Sequence, residues 1–363
     1  KKIIAVAIAA LPMAAMADVQ IYGEIGAAYE NTKTTMSGVS AGSVSKIESY
    51  NSKIGFRGAE DLGNGLKAIW QVEQKLGIDG TGDNKWATRD SFVGLSGDFG
   101  KIQLGRLSNF QNLYSNLDPW KSEAGWNAMS WASDLTHAGY IQSAAAYQSR
   151  LNNAIAYTSP EMSGFQARIL YSAAGESRTD TNREAESVYE LGLRYANSGY
   201  YGQYSYTHAK NADLLGKSRS VSFNNAGAPQ TDDWFDEKSS MHYAEVGYDA
   251  NNLLLALTYV QTKSEGTNGQ TWDDKARAIG LNVAYTMGAW TPHFQYQHGW
   301  KNKENGQSVD GTDFNQYVLG VNYALSKRTM AHAALGYVKS GDDVTGEAAL
   351  KGTTYAVGLS HLF

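Results

Sequence analysis

Ser187-Val188-Tyr189-Glu190-Leu191-Gly192-Leu193-Arg194-Tyr195-Ala196 reads in twos. Tyr189, Leu191, Leu193 and Tyr195 fall on one face of an extended chain, and Glu190, Gly192 and Arg194 on the other. Asn197-Ser198-Gly199 then breaks the run, and a second alternating segment follows from 200 to 210. An apolar face backed by charges is the mark of a strand with an apolar medium on one side and water on the other.

The same rhythm runs outward in both directions. It predicts strands at 19–29, 52–60, 66–76, 89–96 and 101–106, then at 150–159 and 164–174. Beyond 210 it predicts strands at 241–249, 253–263, 276–287, 289–301, 315–325, 330–340 and 352–363. With the two opening segments, that is sixteen strands. Short turns follow the even-numbered strands, among them Leu62-Gly63-Asn64-Gly65 and Ser326-Lys327-Arg328-Thr329. Longer polar stretches follow the odd-numbered ones, among them 30–46, read as a Ser/Thr/Gly-rich loop. Short turns on one rim and long loops on the other fit an antiparallel transmembrane β-barrel. A soluble sandwich needs no such asymmetry. Tyr22, Tyr157, Tyr171, Tyr195, Tyr248, Tyr285, Tyr323 and Tyr337 lie near strand ends, where interfacial girdles require rings with a polar tip.

Composition agrees. The chain has 363 residues with 38 Gly, 5 Pro and no Cys, and no linker interrupts it. No apolar run approaches the roughly 18 residues of a spanning helix, but barrel strands average to mild hydropathy. Lys1-Lys2, the apolar run 3–13 and Ala15-Met16-Ala17 predict a signal peptide over 1–17, with the barrel occupying 18–363. Without that segment 29 bases face 36 acids, a balance that disfavours nucleic acid as a partner. The last segment puts Tyr355, Val357, Leu359 and Phe363 on one face, as expected of a closing strand in a Gram-negative outer-membrane barrel.

One stretch, about 107–140, has no strand rhythm. It carries Asn109, Asn112, Trp120, Trp126 and Trp131, together with Asp118, Glu123 and Asp134. A loop of that length inside a compact unit is usually functional. The expectation is that it folds into the bore and narrows it. The three Trp are read as packing against the wall rather than as a sugar track. Parity assigns Lys53, Arg57, Lys75, Arg150, Arg168 and Arg194 to the lumen, with Glu24, Glu73, Glu190 and Glu245.

Several blocks resemble the neisserial major porins. These are Asp18-Val19-Gln20-Ile21-Tyr22-Gly23, Ser52-Lys53-Ile54-Gly55-Phe56-Arg57-Gly58, and the run from Glu60-Asp61-Leu62-Gly63 to Lys75. Phe92-Val93-Gly94-Leu95, Leu104-Gly105-Arg106-Leu107, Asp118-Pro119-Trp120 and Phe363 fit as well. The resemblance implies a homotrimeric, sixteen-stranded general diffusion porin of beta-proteobacterial outer membranes, set in lipid and lipopolysaccharide. It implies a third long loop that forms a pore eyelet, passing ions and small hydrophilic solutes. It also implies that Arg57, Arg89 and Arg106 face Asp118 and Glu123 across the constriction. Parity leaves two of these open. Arg106 aligns with Ile102 and Leu104 on the apolar face unless a bulge at Gly105 resets it, and Arg89 fits either face. In a trimer, Gly23, Gly26, Ala27 and Gly358 on the first and last strands would allow close subunit approach.

No enzyme or cofactor signature is present. The seven His show no metal-ligand spacing, and G-x-S-x-G is absent. The readings that remain are a general diffusion channel and, second, a channel selective for one solute class such as a sugar or an anion. A barrel enzyme comes third, weakened by the missing motif.

Overall fold

Each segment that alternates in the sequence is a strand in the computed structural model. The structure describes residues 19–36, 38–80, 85–117, 150–173, 187–210, 221–223, 229–231, 238–267, 271–341 and 350–363. The chain enters as β1 (Gln20–Met36), returns as β2 (Val39–Ser49) and continues past a break at 50–52 as β3 (Lys53–Gly63). β4 (Leu66–Lys75), β5 (Ser91–Gly97) and β6 (Gly100–Ser108) lead into a short helix, α1 (Phe110–Tyr114). The meander resumes with β7 (Arg150–Thr158), β8 (Phe165–Ser172), β9 (Ser187–Asn197) and β10 (Tyr200–Lys210). β11 (Val221–Phe223) and β12 (Pro229–Thr231) form a separate two-stranded pair. β13 (Lys238–Ala250), β14 (Leu253–Thr267), β15 (Thr271–Tyr285) and β16 (Trp290–Gly299) follow. The short β17 (Lys303–Glu304) and β18 (Gln307–Ser308) precede β19 (Phe314–Ala324), β20 (Thr329–Ser340) and β21 (Leu350–Leu362).

β21 pairs with β1 from Glu24↔Leu362 to Met36↔Leu350, which closes the sheet on itself. With β2 and β3 counted as one interrupted strand, and the four short strands left aside, sixteen antiparallel strands form the wall. Closure gives backbone groups across the ring a partner, which a sheet spanning hydrocarbon requires. Among the described residues no helix is long and apolar enough to cross a membrane, which says nothing of strands.

The two faces separate by parity. Leu319 and Val357 are each 61% exposed on the outside, while Glu190 is 2% exposed on the inside. Ring pairs mark both ends of the outer face: Tyr171–Tyr189 at 5.0 Å, Tyr200–Tyr248 at 4.9 Å and Trp290–Tyr323 at 4.4 Å between centroids. The turn between β13 and β14 is built on Asn251 (φ 53°) and Asn252 (φ 64°), the left-handed pair that a two-residue hairpin needs.

Four expectations change. Residues 30–46 are largely strand rather than loop: β1 and β2 stay paired out to Met36↔Val39. Their Thr and Val suit a pleated ladder, and Tyr29 and Asn31 both hydrogen-bond to Ser45 across it. β5 starts at Ser91, so Arg89 and Asp90 belong to the connection before it. Tyr22 is no girdle residue; its hydroxyl donates to Glu73 at 3.0 Å, inside the wall. Gly26 and Gly358 offer no outer contact surface. Added Cβ atoms would sit 2.9 Å from the Tyr50 ring and 2.0 Å from His332 Nε2. Tyr50 crosses the inner face to hydrogen-bond His332 at 2.9 Å.

Candidate functional site

Charges gather on the inner wall of the early strands. The register aligns Tyr22 with Gly55 and Gly55 with Glu73. Gly55 is needed there, since a Cβ would lie 2.3 Å from the Tyr22 ring. The Arg57 guanidinium lies 4.9 Å from the centroid of that ring, and its Nε donates to Gln20 Oε1 at 2.8 Å. Arg57 is exposed. Glu73 receives Tyr22 on one oxygen and forms an ion pair with Arg89 through the other. Asp90 accepts the Ser108 backbone N–H at 2.5 Å and its hydroxyl at 2.7 Å, and pairs with Arg150 at 3.3 Å. Lys53 pairs with Glu24 at 2.7 Å. Lys75 lies opposite Lys53 in the ladder and is therefore on the same face.

Arg106 sits at the bulge that Gly105 announces. The register between β6 and β7 shifts between Gly105 and Leu107, with Gly105 at φ 148° and Asn153 at φ 48°. The Arg106 Nε donates to the Thr88 carbonyl at 3.0 Å, and Nη1 reaches Asn152. This ties the guanidinium to the connection that carries Arg89.

Beyond β6 the chain turns inward, and residues 109–117 lie along the inner wall. Asn109 caps α1 by accepting the Asn112 N–H at 2.7 Å. The Phe110 N–H donates to Glu190 at 2.8 Å. Its ring fills the slot left by Gly192, where a Cβ would be 2.0 Å from Phe110 Cδ2. The Tyr114 hydroxyl donates to Gln166 at 2.9 Å, and its carbonyl accepts from Gln203 at 2.8 Å. Burial pushes the Tyr114 phenol up, against the lowering pull of Arg168 and Arg194. Arg194 lies 5.4 Å from the centroid of that ring. Glu245 then accepts from the Ser115 hydroxyl and the Asn116 N–H, each at 3.0 Å, and from Tyr201, Gln203 and Tyr243. Asn282 donates to the Asn116 carbonyl at 2.8 Å, and Leu117 covers Gly280. The segment thus reaches from β6 past β9, β10 and β13 to β15.

Two buried carboxylates, Glu190 and Glu245, therefore hold the start of this loop by its backbone. Each is itself satisfied: Glu190 also receives Arg168 at 3.2 Å and Thr207 at 3.3 Å. Apolar packing adds to the anchorage, because Leu107 and Leu117 share a buried cluster with Leu151, Leu170, Val188 and Met241. Parity placed Glu190 and Glu245 in the lumen but gave them no partner, and Asp90 was missed. Its only local signal was an acid next to Arg89. Asp118 and Glu123, like the signal peptide expected over 1–17, lie outside the described residues. Among the described residues no group of His, Asp or Glu is arranged to hold a metal.

The geometry is a closed ring with an apolar outer belt, a charged inner wall and a segment laid across the inside. Known proteins share its fold. The chain is 36% identical to the major outer membrane protein P.IB of Neisseria sicca, over all of this chain and 99% of that one. It is 34% identical to P.IB of Neisseria gonorrhoeae over the same shares. In fold it is similar to an anion-selective porin from Comamonas acidovorans, with a TM-score of 0.72 and 21% identity, covering 96% of this chain and all of that one. OmpF of Salmonella typhi superposes with a TM-score of 0.63 and 18% identity, covering 96% and 98%. Residues 5–343 match the family described as Gram-negative porin. The chain belongs to the Gram-negative porins, diffusion channels of the outer membrane.

Proposed function

We propose that this channel filters passively diffusing ions and small hydrophilic solutes at an eyelet, by size and by charge. The size filter is the third long loop, about 107–140. The charge filter is the wall group Arg57, Arg89 and Arg106, set opposite Asp118 and Glu123 of that loop. One observation carries the reading: residues 109–117 run across the inner wall, hydrogen-bonded to Glu190 and Glu245 instead of rising from the rim. A loop that starts in this way is aimed into the bore.

Charge at the narrowest point outweighs the total. On the early-strand wall Arg57, Arg89 and Arg150 meet Glu73 and Asp90, and among the described residues Arg57 has no carboxylate partner. The wall side of the eyelet, with Arg57 unpaired, therefore attracts anions, against the acids of the loop opposite. The proposal extends to the mature chain beginning after residue 17, and to a homotrimer embedded in outer-membrane lipid and lipopolysaccharide. It includes Lys53, Lys75, Arg168 and Arg194 as further lining charges. A charge acts within a Debye length, about 8 Å at physiological salt. In a planar bilayer under a salt gradient, Arg57→Glu should therefore shift the reversal potential toward cations, and the shift should shrink as salt rises. A reversal potential unchanged at low salt would remove Arg57 from the filter.

A further inference from the structure

We propose that Lys275, Arg277 and Lys303, on the outer face of the barrel at its long-loop end, bind the phosphate headgroup of a membrane lipid. The inference rests on the placement of the barrel in the outer membrane, which brings lipid to this face.

Parity fixes the orientation. On β14, Leu255, Leu257 and Tyr259 are exposed on the outside, so Gln261 and Lys263 continue that face. On β15, Tyr285 is exposed while Asn282 and Ala284 are buried, so Lys275 and Arg277 point outward too. The register then sets Lys263 opposite Lys275 and Lys275 opposite Lys303, three like charges side by side on adjacent strands. At the next outward-facing pair toward the apolar belt, Gln261 lies opposite Arg277, whose guanidinium is 5.6 Å from the centroid of the Trp300 ring. Next comes Tyr259 opposite Ile279, and then Leu257 opposite Leu281.

Like charges directly opposite one another destabilise a sheet. Lys263 is relieved by an ion pair with Glu265 and by Asp273 at 4.0 Å. Among the described residues, no ion pair relieves Lys275, Arg277 or Lys303. Two amines and a guanidinium held by an aromatic ring thus stand just beyond an apolar and aromatic surface. A phosphate monoester supplies the missing negative charge and accepts from both amines and from the guanidinium fork. Its acyl chains would lie down the Tyr259, Ile279 and Leu257 face. A free anion would gain the charge contacts without the apolar ones, so the surface favours a lipid.

The test is native mass spectrometry of the folded protein in mixed micelles containing phosphatidic acid or phosphatidylcholine. The parent should retain phosphatidic acid preferentially. The variant Lys275→Gln/Arg277→Gln/Lys303→Gln should lose about a hundredfold in affinity, since each base near an anionic surface contributes about fivefold. Lys275→Arg with Lys303→Arg should keep it. Where the triple variant fails to fold, Lys275→Gln against Lys275→Arg gives the same comparison. Equal retention by parent and variant would overturn the proposal. So would displacement of the lipid by millimolar inorganic phosphate, or loss of oligomeric state with retention unchanged, which would make the row a subunit contact. Single-channel conductance separates this from the channel reading. The residues lie outside the bore, so the variant should conduct like the parent, and a parent that binds lipid without conducting would count against the channel alone.

Discussion

Gly23 and Phe363 exchange two backbone hydrogen bonds, each 3.1 Å long, and the Phe363 ring lies over the position where Gly23 has no side chain. This pair sits at the seam where the last strand meets the first. A methyl group at Gly23 would be 2.3 Å from Phe363 Cζ and 2.6 Å from the Lys53 carbonyl. Gly23→Leu should therefore strain the closure by about 1–3 kcal/mol or more. The folded fraction in lipid vesicles, followed through a urea titration, should fall. Phe363→Ala in the same background should recover part of the loss. A Gly23→Leu barrel as resistant as the parent would show that the seam tolerates the added volume.

The outer and inner faces make opposite demands on one strand. Leu191→Arg places a charge in lipid and should cost about 2–4 kcal/mol near the midplane, which lowers the insertion yield. Arg194→Leu, on the inner face beside Tyr114, should insert like the parent. Equal yields for the two variants would mean that the faces of β9 are reversed.

Glu245 gathers the loop and the wall at one carboxylate, accepting from Ser115, Asn116, Tyr201, Gln203 and Tyr243. Glu245→Leu leaves buried donors unmet, at about 1–3 kcal/mol for each. The barrel should still insert, but with a noisier open-channel current as the loop start loses its hold. Glu245→Gln should be milder, because its amide oxygen still accepts. Quiet traces from a folded Glu245→Leu channel would mean that the apolar contacts of Leu107 and Leu117 suffice.

Gly192 is the slot for Phe110. With a Cβ only 2.0 Å from the ring, Gly192→Val should expel Phe110 from the wall. Proteolysis within 108–149 of the membrane-embedded protein should become faster than in the parent. Unchanged cleavage would indicate that the ring finds room elsewhere.

Much of this architecture is written locally. β9 needs only its own alternation, because the boundary between lipid and water lies across each residue pair. The bulge at Arg106 was foreshadowed by Gly105, though nothing in the sequence named Thr88 and Asn152 as its partners. The pairing of β1 with β2 out to Met36 stayed hidden, because Ser, Thr and Gly suit a loop as well as a polar ladder. The anchorage of the loop was illegible for another reason. Phe110 and Gly192, or Leu117 and Gly280, are far apart in the chain, and a glycine in a strand does not say which ring will fill its place. Asp90 became meaningful only when Ser108 and Arg150 were brought to it.

In the proposed channel the segment beginning at Leu107 obstructs the bore. Single-channel conductance of a chain lacking residues 121–134 tests it most directly, with sugar permeation as a second reading of the same opening. The deletion leaves the contacts of residues 107–117 with Glu190 and Glu245 in place, so the barrel should fold as the parent does. The deleted channel should show a higher conductance and pass larger sugars. A deleted channel that folds, yet conducts and sieves like the parent, would contradict it.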